Sequence, residues 1–200
     1  MPIAEQEVLD MRLSARAAEF RAIITATKFT DGRGQSVSTE AGIQKVLEML
    51  RDLRQKGGRL YLVGNGGSAA VASHAVTDFL NVASLRATTL HDPPLLSCMA
   101  NDYGYEAAFA KILSTVAARG DMLIGISSSG RSKNIRNAAS KMRAVGGTVI
   151  TLSGFDQDND LRQLGDVNVW LDSHDYGFVE IGHQFVLHNL ADRLRLEKNA

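Results

Sequence analysis

Arg59-Leu60-Tyr61-Leu62-Val63-Gly64-Asn65-Gly66-Gly67-Ser68 is the stretch on which the fold turns. Four successive apolar residues are too short a run for a helix and read as a strand buried on both faces. Glycines end that strand, and segment 68–82 then continues with helical character. Strand, glycine turn and helix make the opening unit of an α/β sheet. Short runs of the same kind recur at Ala87–Leu90, Met122–Ile126, Thr148–Leu152 and Val167–Leu171. Segments 93–118, 131–145 and about 155–163 lie between them as helices or turns, and Tyr176–Lys198 reads as a closing helix. Five strands alternating with helices predict a parallel sheet covered on both faces, a three-layer α/β/α sandwich.

Upstream of Arg59 the pattern is helical. Val8, Met11, Ala15, Ala18, Ala22 and Thr25 recur at three- and four-residue steps, with Leu9, Leu13, Phe20 and Ile24 widening the stripe. A helix ahead of every strand has little of its own domain to pack on, so another subunit is expected to cover it. Asp31–Gly34 reads as a loop, and Ser38-Thr39-Glu40 opens a second helix that runs to about Lys56. The chain thus divides into an oligomerisation helix and loop over 1–38 and an α/β domain over 39–200.

Composition narrows the partners. The 200 residues carry 22 basic and 22 acidic side chains. That balance argues against nucleic acid and anionic membranes, which select a basic excess. It leaves room for a phosphorylated small molecule, because backbone N–H groups hold phosphate without lysines. No apolar run approaches the ~18 residues of a membrane span. Glu5, Glu7 and Asp10 stand where a signal peptide would be basic and then apolar. The single cysteine, Cys98, has apolar neighbours and is expected to be buried and inert. A cytoplasmic protein is the expectation.

Ligands of such sheets bind beyond the carboxyl ends of the strands. Two loops there are unusual: Gly64–Ser68, and Ser127-Ser128-Ser129-Gly130-Arg131-Ser132, each between a strand and a helix. A helix cap explains one hydroxyl, not four. Two donor-rich loops on one sheet edge point to a clamp for a monophosphate. Gly64-x-Gly66-x-x-Ala69 also fits a dinucleotide fingerprint, but its ribose partner, Asp92, sits 28 residues beyond Gly64 and just before Pro93-Pro94. On the helix after the first loop, His74 and Asp78 stand at i and i+4 on one face. They can serve one cation, one substrate or simply solvent. Glu180 and His183, at i and i+3 in the last helix, offer a further helical metal pair.

These residues together resemble the sugar isomerase (SIS) domain family and, within it, the sedoheptulose-7-phosphate (phosphoheptose) isomerases. The motifs are Gly64–Ser68, His74, Asn101-Asp102 and Gly125–Ser132, and the similarity runs from about Thr39 to Leu194. The resemblance implies a flavodoxin-like five-stranded parallel sheet, a homotetramer built through terminal helices, and aldose–ketose isomerisation of a phosphosugar. Asn65, Gly66, Gly67 and Ser68 would line the sugar-phosphate site, with Ser127, Ser128, Ser129 and Ser132 on the phosphate and Asn101 and Asp102 on sugar hydroxyls. Glu180 would also touch the substrate. A divalent metal, zinc in many members, would be held by His74, Asp78, Glu180 and His188. Asp78 and His188 would carry the proton transfers.

The chain departs from that pattern at two ligand positions. Asp78 and Glu180 stand where the best-known members have glutamate and glutamine, which puts the substrate's identity in question more than the reaction type. Eight residues of helix also separate Glu180 from His188, about 12 Å of rise, so one ion reaching both requires long side chains that lean toward each other, a late helix start or two subunits. A rival reading from another class is a non-catalytic SIS adaptor of replication initiators, which lacks the complete acid and histidine set. A phosphosugar-sensing regulator is weaker still, since no helix-turn-helix precedes the domain.

Overall fold

The computed structural model describes residues 10–198. Helix α1 spans Leu13–Thr25, and a hairpin of two short strands follows, β1 (Lys28–Asp31) and β2 (Ser36–Val37). Val8, Leu9 and the acidic Glu5 and Glu7 lie outside the described residues, and Met11 precedes the helix. Helix α2 (Thr39–Gln55) leads into β3 (Arg59–Val63), α3 (Gly67–Asn81), β4 (Arg86–Thr89), α4 (Pro93–Tyr103) and α5 (Tyr105–Val116). Then come β5 (Met122–Ser127), α6 (Lys133–Ala144), β6 (Thr148–Ser153), a 3-10 turn at Asp160–Gln163, β7 (Val167–Trp170) and α7 (Tyr176–Lys198).

All five expected strands are present, but the sheet has seven, in the order β2-β1-β7-β6-β5-β3-β4. Strands β4, β3, β5, β6 and β7 are parallel, with β3 between β4 and β5, the flavodoxin-like winding. The two added strands come from segment 28–37, which the sequence reading placed ahead of the domain. Strand β1 runs antiparallel to β7, Phe29 opposite Val169. Lys28-Phe29-Thr30-Asp31 has one strongly apolar residue, too little for a local strand signal. The segment becomes a strand because β7 offers an unpaired edge and the Phe29 ring packs on Gly42 of α2, where a Cβ would collide with it.

The alternation of β3 feeds two cores. Leu60 and Leu62 join Ile124, Ile150 and Leu187 on the side covered by α2, α3 and α7. Tyr61 and Val63 join Leu123, Phe109 and Ile135 on the side of α5 and α6. All but a few of these side chains are essentially without solvent contact, which is why strand runs here are continuously apolar.

Segment 93–118 is two helices, broken at Gly104, whose φ of 81° suits glycine. Asp92 caps α4 by accepting from the Leu95 N–H at 3.0 Å, so it has a structural task and stands away from any ribose role. Helix α4 has no buried residue. Cys98, expected to be buried, is exposed. The apolar residues around it, Leu96 and Met99, face α5, and the 100° helical step turns Cys98 outward. No described helix is long and apolar enough to cross a membrane.

Candidate active site

The crossover from β3 to the strands on its two sides brings the glycine loop and the serine loop together. Val63 pairs with Gly125, so the chain leaves β3 and β5 side by side. At Gly64 a Cβ would press to 2.5 Å of the Ser68 backbone, and Gly66 adopts φ 53° and ψ −124°. Both positions require glycine. The loop therefore turns tightly enough for α3 to begin at Gly67 with its N-terminus in the crevice. His91 supports the turn from β4's end by accepting from the Gly64 N–H at 3.3 Å. Its burial holds its pKa below the ordinary histidine value, in keeping with an acceptor nitrogen.

Asn65 is fixed by a reciprocal amide pair with Asn134 of α6, at 2.8 and 2.9 Å, and by the Tyr105 hydroxyl at 2.8 Å. Neither Tyr105 nor Asn134 carries a sequence signal of its own; only the fold brings α5 and α6 to the loop.

The serine loop supplies hydroxyls. Ser127 and Ser128 are buried, and the Ser127 hydroxyl donates to that of Ser132 at 3.1 Å. Ser132 is the N-cap residue of α6 yet makes no side-chain cap bond, and the buried Ser128 hydroxyl has no partner at all. Hydroxyls left unused by the protein in a buried place imply an acceptor from outside. Gly130, at φ 63°, leaves no room for a side chain beside Asn159.

Both loops line a cavity of about 290 Å3 formed by Asn65, Gly66, Gly67, Ser68, Ser127, Ser128, Ser129, Ser132, Tyr176 and Glu180. It contains no lysine or arginine. Its one charged lining residue is Glu180; what it offers an anion is the backbone N–H groups and dipoles at the N-termini of α3 and α6. Arg131 turns away to pair with Asp156 at 2.6 Å. Tyr176, which the sequence reading did not select, forms a wall because α7 starts there.

Two turns along α3 from this cavity, His74 and Asp78 meet His188 of α7. The His74 and His188 Nε2 atoms are 3.0 Å apart, and Asp78 Oδ2 lies 3.0 Å from His188 Nδ1 and 3.6 Å from His74 Nε2. Asp78 Oδ2 is buried without a properly aligned hydrogen bond, despite the nearby imidazole. An orphaned carboxylate oxygen beside two converging imidazoles fits a divalent cation: two nitrogens about 2.1 Å from one tetrahedral ion stand about 3.4 Å apart. Aspartate, although shorter than glutamate, reaches the cluster.

Glu180 is not part of it. The ligand-bearing group among the described residues is His74, Asp78 and His188. Glu180 instead lays its carboxylate on Gly67, where a Cβ would collide with it. Of the four expected ligands the structure brings three together, and two helical turns place Glu180 at the serine-lined cavity and His188 at the cluster. His183 lies outside the cluster as well. It is fully buried, with Nε2 against the Ser153 carbonyl at 3.1 Å, and burial pushes its pKa down to about 4. Asn101 and Asp102 stand apart too. Both are exposed on α4 and bonded to each other at 2.9 Å, outside the cavity of this chain.

The SIS domain family matches residues 33–154. A phosphoheptose isomerase of Geotalea daltonii is 33% identical over 175 residues, covering 84% of this chain and 88% of that protein. One from Helicobacter pylori is 36% identical over 141 residues, covering 68% and 73%. Among solved structures, the phosphoheptose isomerase GmhA of Neisseria gonorrhoeae superimposes with a TM-score of 0.78 at 26% identity, covering 92% of this chain and 96% of that one. The phosphoheptose isomerase of Francisella tularensis shares the fold with a TM-score of 0.79 at 21% identity, covering 92% and 94%. With glycine loop, serine loop and helix-borne cluster all in place, the chain belongs to the SIS domain family and groups there with the phosphoheptose isomerases.

Proposed function

We propose that this protein is an aldose–ketose isomerase of a phosphosugar, converting sedoheptulose 7-phosphate to D-glycero-D-manno-heptose 7-phosphate, a precursor for surface-polysaccharide heptose. The observation that carries the reading is that one helix, α3, bears both halves of the site. Its N-terminus opens on the serine-lined cavity, and its His74 and Asp78 join His188 about 10 Å further along. A phosphate held at the first point lays an open-chain sugar along the helix toward the second.

Ser127, Ser128, Ser129 and Ser132 donate to the phosphate, while Gly66 and Gly67 leave the backbone N–H groups at the start of α3 free of side chains of their own. Glu180 and Tyr176 face the phosphate loop from α7 and address sugar hydroxyls. Asp78 takes a proton from C1 of the ketose and returns it to C2. His188 moves the matching proton between the two oxygens. His74, Asp78 and His188 would hold a divalent ion, zinc by donor type, which supplies positive charge to the substrate's oxygens when bound. The role of Asn101 and Asp102 as sugar contacts requires α4 to move or a neighbouring subunit to present it.

A homotetramer in the cytoplasm completes the reading. Exposed Ile181 and Phe185 on α7 beside α1 support assembly through the terminal helices. Incubation with sedoheptulose 7-phosphate in D2O, with zinc supplied, should place deuterium at C2 of the aldose product. D78N and H188Q should each lower turnover by at least a hundredfold. No turnover of any five- to seven-carbon ketose phosphate would remove the enzyme reading.

A further inference from the structure

A second cavity, of about 470 Å3, lies at the β2–β1 edge of the sheet, between the hairpin turn and the chain around the 3-10 turn. The hairpin turn follows Asp31, which pairs with Val167 at the start of β7. The cavity shares no lining residue with the serine-lined site, although its Asn159 packs on Gly130 of the serine loop. Arg162 lines it and is only 9% exposed.

Arg162 makes no ion pair with any described residue. Its Nη1 donates to the Gln157 carbonyl at 2.7 Å, its guanidinium lies 5.2 Å from the centre of the Trp170 ring, and its Nε is buried without a partner. Burial lowers its pKa and no neighbouring carboxylate offsets that effect. A guanidinium offers five donors in a planar fork suited to oxyanions, and a buried charge without a counter-charge is costly. Arg33, on the hairpin, brings a second guanidinium to the same cavity, against one carboxylate, Asp158.

We propose that this cavity is a second ligand site, for a small molecule bearing a phosphate or carboxylate oxyanion, with Arg162 as its buried anchor and Arg33 as its outer clamp. The ligand's oxyanion supplies the counter-charge that Arg162 lacks among the described residues.

Trp170 is the only tryptophan in the chain and lies under Arg162, so its fluorescence reports on the site. Full-length protein is titrated with orthophosphate, and separately with succinate, with chloride exchanged to keep ionic strength constant. A saturable change in Trp170 emission with at least one of the two is expected. Its midpoint should rise about tenfold or more in R33A, which alters only an exposed side chain, and should not move in S132A, which alters the other anion cavity. R162Q should abolish it; if that variant does not fold, R33A carries the test. No saturable change with either anion, an unmoved midpoint in R33A, or a response lost in S132A would overturn the proposal. Isomerase activity is unaffected by that outcome.

Discussion

Two glycines and two histidines show how single positions divide labour at this site. Gly66 holds a backbone conformation that side chains resist, and α3 depends on it for its start. G66A should cost about 1–3 kcal/mol in urea unfolding and lower activity with it. Gly67 gives its missing side chain's space to the Glu180 carboxylate; G67A should displace Glu180 and raise KM for the sugar phosphate more than it lowers thermal stability. The histidines differ in burial and in partner. His188 stands partly open to solvent beside Asp78, whereas His183, five residues earlier on α7, is sealed against the Ser153 carbonyl. Because His183 protonates at about 4 when folded and near 6.5 when unfolded, the unfolded chain binds the extra proton between those values. Stability is therefore full above pH 6.5, falls as the pH drops below it, and levels off below 4, with a loss of about 3 kcal/mol from this residue. H183L should flatten that part of the pH profile in urea melts between pH 7.5 and 5.

At the level of elements, α3 and α7 act as two rails. Each carries one end to the anion cavity and one side chain or pair to the His74–Asp78–His188 cluster. The 12 Å that separates Glu180 from His188 on an ideal helix is the spacing between the two functions, not an obstacle to one. Helix α4 shows the opposite case, an element with a cap and a terminating glycine but no buried side chain. D92A should cost about 1 kcal/mol, the value of a helix cap, with isomerase activity retained; loss of activity without loss of stability would assign Asp92 a ligand role after all. The β1–β2 hairpin became visible only as an element of the sheet. Its strand character lies in its pairing with β7 and not in its own side chains.

For the whole molecule, the zero net charge acquires a location: the serine-lined cavity is built from glycines, hydroxyls and helix ends without arginine, whereas Arg33 and Arg162 line the cavity at the β1–β2 hairpin. Ile181 and Phe185 are exposed apolar residues of α7, and the proposed tetramer would bury them. I181D combined with F185D should shift sedimentation from tetramer toward smaller species, leaving the fold intact by circular dichroism. The alternating strands and helices, the two donor-rich loops and the i, i+4 pair of His74 and Asp78 could all be read along the chain. Each is a local pattern, set by side-chain period, backbone freedom or loop composition. The sequence by itself thus determined the parallel α/β core, the position of the anion cavity and the candidate chemistry. Tertiary structure alone decided that Glu180 lines the cavity, that His183 is sealed against the Ser153 carbonyl, that Tyr105 and Asn134 hold Asn65, and that Arg162 is buried without an acid. Those outcomes depend on which surfaces meet across long stretches of chain, and no spacing within one segment encodes the dielectric or the partner that a side chain meets there.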